Sequence, residues 1–305
     1  MAYLFDYDNL LVEWVSSTGI FSEWPECREV FLDKLSRDSP SVVALPILSC
    51  QAVGGLIADA APVATAWSML RYAAELFDAV QDGDNLPKNV NDSSSAIEYA
   101  NGLIFSAFKA IATIHDANLV YQLASLFSDL AFQASQGQQL SQQYRRKDSA
   151  TLETYWQATI LKSGSIFRAG LGGGAIISQA TPDYYTALSE FGNALGVIRQ
   201  VIDDCRDVFE DLDTNSYEVT LPLLLLSEKL SESIPLLVRR FKSKDALSTA
   251  LNTNGVPEMI TSVLLEWHRR AMENLMILEQ SSETQSLETI LQDFVSKPWL
   301  NFSNG

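Results

Sequence analysis

The stretch GVIRQVIDDCRDVFED, residues 196 to 211, puts Gln200, Asp203, Asp204 and Asp207 at positions i, i+3, i+4 and i+7. A helix advances about 100° per residue, so these four side chains share one face. A second stretch, ELFDAVQD, repeats the spacing with Glu75, Asp78 and Asp82. If two such helices face one another in a bundle, their carboxylates repel unless a cation lies between them. Magnesium suits that demand, because it takes one or two carboxylates and fills its remaining positions with water and phosphate oxygens. The pair reads as a clamp for a metal-bound diphosphate. Each stretch alone reads equally well as a solvated acidic face. Context shifts the balance, because Leu76, Phe77 and Val80 flank one stretch and Val197, Ile198, Val201, Ile202 and Val208 flank the other.

The elements that must position these residues are helices. AWSMLRYAAELFDAVQD, AIEYANGLIFSAFKAIATI, VYQLASLFSDLAFQASQGQQL, TYWQATILKSGSIFRAG and MITSVLLEWHRRAMENLMIL all place apolar residues three and four apart, and no strand array is visible. The chain is expected to be all-α. Breaks fall at residues 82–95, 145–149, 179–183, 212–216 and 252–255, and QQYRRKD (142–148) reads as a solvated turn whose Arg145 and Arg146 are able to fold over a site. Ser95 followed by Glu98 has the spacing of a capping box. No composition shift marks a boundary, so residues 1–305 are expected to form a single domain, without solenoid repeats or low-complexity tracts.

Composition excludes several functions. With 305 residues, 47% of them hydrophobic, the chain can bury a substantial core. Lys+Arg 21 against Asp+Glu 38 leaves a net charge of -17, which repels nucleic acid and anionic membrane surfaces. A polyanionic ligand then needs bridging cations or a local basic cluster. Cys27, Cys50 and Cys205 are odd in number and lack metal spacing, which fits a reducing cytoplasm and roles in packing. The opening MAYLFDYDNLLVEW is acidic where a signal peptide is basic. Residues 42 to 77 are the most apolar, but Pro46, Pro62, Asp59, Arg71 and Gly54-Gly55 interrupt them, so they are expected to form two buried helices and no transmembrane segment. A cytoplasmic protein is expected.

Five ordered motifs carry a resemblance. QVIDDCRD looks like the second aspartate-rich motif, QxxDDxxD, of the trans-isoprenyl diphosphate synthases, and FDAVQD sits where that family has DDxxD. Asp78 and Asp82 match its first and last aspartates, with Ala79 in the middle. QGQQLS resembles GQxxD with Ser141 for the acid, ILKSGSIF resembles the segment that places a diphosphate-binding lysine at Lys162, and VTLPLLL resembles GKxTLPLL with Glu218 at the lysine position. The resemblance spans residues 40 to 225 and extends to the class I terpene synthases. It implies one large antiparallel helical bundle around a central hydrophobic cavity, and a homodimer.

For chemistry, the resemblance implies that Asp78, Asp82, Asp203 and Asp207 bind magnesium, as a cluster of three ions, together with the diphosphate of an allylic isoprenoid. Asp204 and Gln200 give support, Lys162 neutralises the leaving group, and the carbon–oxygen bond ionises. Phe77, Lys88, Gln138 and Arg199 join the substrate-binding set, Arg199 either sensing the diphosphate or pairing with Asp203 four residues on. Ala73 and Ala74 lie where bulky side chains cap the tunnel in that family, so a chain of roughly C20 or longer is expected, one turn below Asp78, unless Phe105, Phe108 or Phe132 closes the space.

Departures matter as much as matches. Elongating members hold isopentenyl diphosphate with two arginines after the first motif and an early GKxxRP segment; here those positions read Pro87-Lys88 and SPSVVALP (39–46). A second diphosphate without those cations is poorly held. The leading reading is therefore a noncanonical terpene synthase that cyclises or deprotonates one diphosphate. A prenyltransferase is the alternative, either chain-elongating or with another acceptor, since GVPEMITSVLLEWHRRAMENLMIL and the GQ…LKSGSIF region are loosely similar to enzymes that prenylate a tryptophan of bacterial competence pheromones. A non-catalytic subunit of a heteromeric synthase is a third reading. GLGGGA (170–175) follows a helix instead of a strand and reads as close helix packing or a kink, not a phosphate loop. His115 and His268 lack ligand spacing, although the His115-Asp116 pair suits a helix cap, and Trp156, Phe167 and Phe191 read as core aromatics able to face a cation.

Overall fold

Apolar residues three and four apart fold as that spacing requires, and every regular element among the described residues is a helix. The computed structural model describes residues 7–147, 150–209, 219–241 and 243–296. Its first helices are α1 (Tyr7–Thr18), α2 (Pro25–Arg37), α3 (Pro40–Val43), α4 (Leu45–Ala52), α5 (Ile57–Asp82), α6 (Ser93–Ile111) and α7 (Ala117–Lys147). After α8 (Leu152–Thr159) comes a π-helical turn, Ile160–Gly164, then α9 (Ser165–Ile177) and α10 (Pro182–Phe209). The chain continues through α11 (Leu221–Leu230), α12 (Ile234–Arg240), α13 (Lys244–Thr253), α14 (Val256–Leu275) and α15 (Ser282–Ser296). No helix among the described residues is long and apolar enough to cross a membrane.

The chain divides into two compact units. One holds the described residues of 1–131, 169–189 and 277–287, and the other those of 132–168, 190–276 and 288–305. α1 to α6 belong to the first, α8, the π turn and α11 to α14 to the second, while α7, α9, α10 and α15 have residues in both.

In the first unit α5 pairs with α6. Ala96, Ala100, Leu103, Ala107 and Ala110 are buried along α6 at alternating spacings of four and three, a narrow stripe whose small side chains let two helices approach closely. Ala60, Ala61, Val63, Ala64, Thr65, Ala66, Trp67, Ser68 and Met69 of α5 are all buried. The glycines of GLGGGA serve close packing, as the sequence implied: Gly170 lies under the Trp67 indole, Gly173 under Val63 and Phe127, and Gly174 against the Pro46 carbonyl and Ser49. Ser49 Oγ donates to the Leu171 carbonyl at 2.5 Å across the same contact. A methyl at position 174 meets backbone, which cannot rotate away. Gly174→Ala is therefore expected to lower stability by about 1–3 kcal/mol. An unchanged unfolding midpoint would contradict the close approach of α9 and α4.

Local signals were partly misread from sequence. α6 opens at Ser93, three residues before the expected Ser95–Glu98 box takes effect, because Asp92 is the N-cap and its Oδ1 accepts from Ser95 N at 2.7 Å. That bond to a backbone N–H holds the Asp92 carboxyl below its usual range. Asp116 caps α7 through Oδ1, accepting from Asn118 N at 2.8 Å and Leu119 N at 3.3 Å. QQYRRKD is not a turn up to residue 147, since α7 continues to Lys147. Residues 212–216, Glu218 and the side chains of Arg145 and Arg146 lie outside the described residues.

Candidate active site

The second half of α10 separates its polar and apolar faces sharply. Val197, Ile198, Val201, Ile202, Cys205 and Val208 are buried, while Asp207 is exposed and Asp203, Gln200 and Arg199 are half-exposed. Asp203 and Asp204 straddle the edge between the two faces, and their fates differ. Asp204 is 4% exposed. Its Oδ2 accepts from Tyr155 Oη at 2.7 Å and from Leu221 N at 2.8 Å, and its Oδ1 accepts from Gln200 Nε2 at 2.8 Å. Gln200 Oε1 in turn accepts from Ser163 Oγ at 2.7 Å. Burial pushes the Asp204 carboxyl up to about 6, and the donors from Gln200, Leu221 and Tyr155 pull the other way. Burial, with the Asp204 charge beside it, raises the Tyr155 phenol well above its ordinary value. One carboxylate thus ties α8, the π turn, α10 and the start of α11 together. Asp204, read from sequence as a supporting residue, is buried with its oxygens taken by Tyr155, Gln200 and Leu221.

Asp203 points to a different environment. Arg199 Nε lies 2.9 Å from its Oδ2 and Arg206 Nη1 3.5 Å from its Oδ1. Of the two roles open to Arg199, the structure shows the pairing. At 42% and 37% exposure this ion pair is worth no more than about 1 kcal/mol, so a divalent cation can compete for the carboxylate.

Lys162 sits in the π turn, half-buried. Such turns are uncommon and recur at functional sites. Glycine makes this one possible: a Cβ at Gly137 of α7 would strike the Lys162 amide nitrogen, and one at Gly196 of α10 would strike the Ser163 carbonyl. Gln138 and Ser141, beside Gly137 on α7, are buried. The GQ and KSG motifs are therefore adjacent parts of one contact in the second unit.

In the first unit, Asp78 and Asp82 occupy the last turns of α5, which ends at Gly83 in the left-handed region with φ 77°. Phe77, Asp78, Asp82 and Ala74 are half-exposed, but Ala73 is buried, so Ala74 alone of the two alanines is accessible. Phe105 and Phe132, considered as caps for a tunnel, are exposed large hydrophobics, and Phe108 is half-buried. Lys88 is exposed in the segment after α5. Glu75 shares the acidic spacing but belongs elsewhere, being paired with Lys34 and Arg71.

Asp78 and Asp82 lie at the C-terminal end of α5, and Asp203 and Asp207 at that of α10. The helix dipole disfavours anions there and favours cations. Oxygen-only donors with part of their surface in water fit magnesium, which keeps water and phosphate ligands beside one or two carboxylates. Among the described residues no three His, Cys, Asp or Glu side chains converge as a ready cation site. Sequence reasoning missed Tyr155, Ser163 and Arg206. Tyr155 shows in the sequence as no more than a phenol in an amphipathic helix.

Comparison with known proteins agrees with the motifs. Residues 43–219 match the model of the polyprenyl synthetase family. A short chain isoprenyl diphosphate synthase of Methanothermobacter thermautotrophicus is 26% identical over 282 residues, covering 83% of this chain and 84% of that protein. Decaprenyl-diphosphate synthase subunit 1 of Schizosaccharomyces pombe is 24% identical over 255 residues, covering 75% of this chain and 66% of that one. In fold, a geranylgeranyl pyrophosphate synthetase from the archaeon Geoglobus acetivorans superposes with a TM-score of 0.84 at 17% identity, covering 96% of this chain and 99% of the other. With the aspartates of both motifs at the ends of two helices and a glycine-built lysine turn beside one of them, this chain belongs to the polyprenyl synthetase family.

Proposed function

We propose that the chain, acting as one enzyme, ionises an allylic isoprenoid diphosphate in the presence of magnesium and hands the resulting carbocation to an acceptor, as a prenyltransferase. The observation that carries this reading is the division of labour on α10: Asp204 is locked inside a hydrogen-bond network while Asp203 and Asp207 stay accessible at the helix end.

Asp78, Asp82, Asp203 and Asp207 would hold magnesium, which supplies charge neutralisation of the departing diphosphate. Lys162 adds an ammonium to the same task, held in place by the contact of the π turn with Gly137 and Gly196. Arg199 and Arg206 sit within reach of Asp203 and can turn to phosphate oxygens when a cation takes that carboxylate. The carbon–oxygen bond breaks with its electron pair going to the diphosphate. The π electrons of an acceptor then form the new carbon–carbon bond, and loss of a proton restores the double bond.

The acceptor distinguishes two readings. The relatives are isoprenyl diphosphate synthases by name. Terpene synthesis, in which a double bond of the same chain is the acceptor, is favoured by one observation: Val42, Val43, Ala44 and Leu45, in the segment where elongating members carry basic residues, are buried apolar side chains. Incubation with magnesium and geranyl, farnesyl and geranylgeranyl diphosphates, with and without isopentenyl diphosphate, tests the proposal. Release of diphosphate from at least one of them is expected; no release from any would sink it. Hydrocarbon or alcohol products from a single diphosphate identify the cyclising reading, and prenylated products the transferase.

A further inference from the structure

Four charged side chains, Glu75 of the first-unit acidic stretch among them, form a closed ring between α2 and α5. Lys34 Nζ lies 2.8 Å from Asp38 Oδ1 and 2.6 Å from Glu75 Oε2. Arg71 pairs with Asp38 through Nη2 and with Glu75 Oε1 at 2.5 Å through Nη1. Each cation meets both carboxylates, and each carboxylate meets both cations. The side chains of Asp38 and Arg71 are 9% and 11% exposed, that of Glu75 42%. Aromatic faces cover the cations as well: the Arg71 guanidinium lies 5.6 Å from the Trp67 ring and Lys34 Nζ 5.7 Å from the Tyr72 ring.

The ring has a defined place. Arg71 precedes Asp78 by seven residues, so the two share a face of α5 about 10 Å apart along its axis. Asp38 directly precedes residues 39–46, whose side chains at Val42, Val43, Ala44 and Leu45 are buried and uncharged. Two basic side chains thus stand beside the first aspartate motif, and two carboxylates already occupy them. The ring sums to no net charge. A diphosphate entering here meets Asp38 and Glu75 as closely as it meets Lys34 and Arg71. Displacing the carboxylates strands the Asp38 charge where little water reaches it, which is strongly unfavourable.

We infer that this ring shuts the acceptor position of the enzyme to a second diphosphate, so that the acceptor is an uncharged π system, either a separate molecule or a double bond of the same isoprenoid chain. The inference rests on the reading under Proposed function and adds the acceptor class to it.

Calorimetric titration of isopentenyl diphosphate, without magnesium, into the wild-type chain and into Glu75→Gln and Asp38→Asn/Glu75→Gln tests the ring itself. Wild type is expected to bind no more tightly than roughly 1 mM, and opening the ring to tighten binding at least about tenfold, the double variant most. Glu75 is the most exposed member, so the single variant reports even if the double variant does not fold. Tight binding by wild type, or a folded Glu75→Gln protein that gains nothing, overturns the inference. In the reaction itself, wild type with magnesium, farnesyl diphosphate and isopentenyl diphosphate is expected to yield no lengthened diphosphate; lengthened product overturns the inference while leaving the ionisation reading intact. Absence of diphosphate release from every allylic substrate sinks the ionisation reading, and the titration still decides whether the ring excludes the second diphosphate. Added neutral prenyl acceptors that are consumed identify a separate molecule as the acceptor; consumption of farnesyl diphosphate alone identifies an internal double bond.

Discussion

Asp203→Ala is expected to cut magnesium-dependent diphosphate release by at least about a hundredfold in kcat/KM, the size of effect seen when one preorganised stabiliser of a developing charge is removed. Asp203 lies where the end of α10 favours a cation, and its two arginine contacts are half-exposed. Because such surface pairs are worth at most about 1 kcal/mol, the unfolding midpoint should barely move. The readout is therefore split: activity collapses and stability holds. Asp78→Ala should lose activity likewise, since Asp78 lies near the C-terminal end of α5. Undiminished rates in both variants would refute the metal assignment.

The neighbouring residue should give the reverse pattern. Asp204→Ala leaves Tyr155 Oη and the Leu221 amide without their acceptor in a buried site, and takes the acceptor of the half-exposed Gln200 Nε2 as well. Each buried donor left unsatisfied costs about 1–3 kcal/mol, so the loss should exceed that of any variant that removes one donor. Tyr155→Phe removes a single donor and should cost about 1–2 kcal/mol. Asp204→Asn retains an acceptor for Tyr155 and Leu221 and should fall between Asp204→Ala and wild type. Urea denaturation ranks the three variants. If Asp204→Ala unfolds at the same denaturant concentration as wild type, the carboxylate is not the tie between α8, α10 and α11.

Two adjacent aspartates with opposite expected phenotypes show what spacing can and cannot reveal. Residues 200, 203, 204 and 207 share a face by period alone, and that much was legible. Which of Asp203 and Asp204 turns inward was not, because the deciding partners, Tyr155 and Leu221, are 49 and 17 residues away in sequence. The same holds for the ion ring. Lys34–Asp38 and Arg71–Glu75 are each i,i+4 pairs that any helix offers, whereas their closure into one ring depends on the packing of α2 against α5.

Helix boundaries followed a similar rule. Loops at 83–92 and 178–181 were legible because Gly83 and Pro182 punctuate the periodic pattern. The start of α6 was not, because Asp92, Ser93, Ser94 and Ser95 are four consecutive residues of capping type, and spacing to Glu98 selects the wrong one. The glycines of α9 gave the right class of answer from sequence, close packing, but the surfaces they meet, Trp67, Phe127 and the Pro46 carbonyl, needed the tertiary structure.

The most direct measurement is a magnesium titration of diphosphate release from an allylic isoprenoid diphosphate by the wild-type chain. Saturable release that vanishes with a chelator and returns on adding magnesium is the predicted result. Release at the same rate with the metal removed would contradict the role given to the aspartates at the ends of α5 and α10.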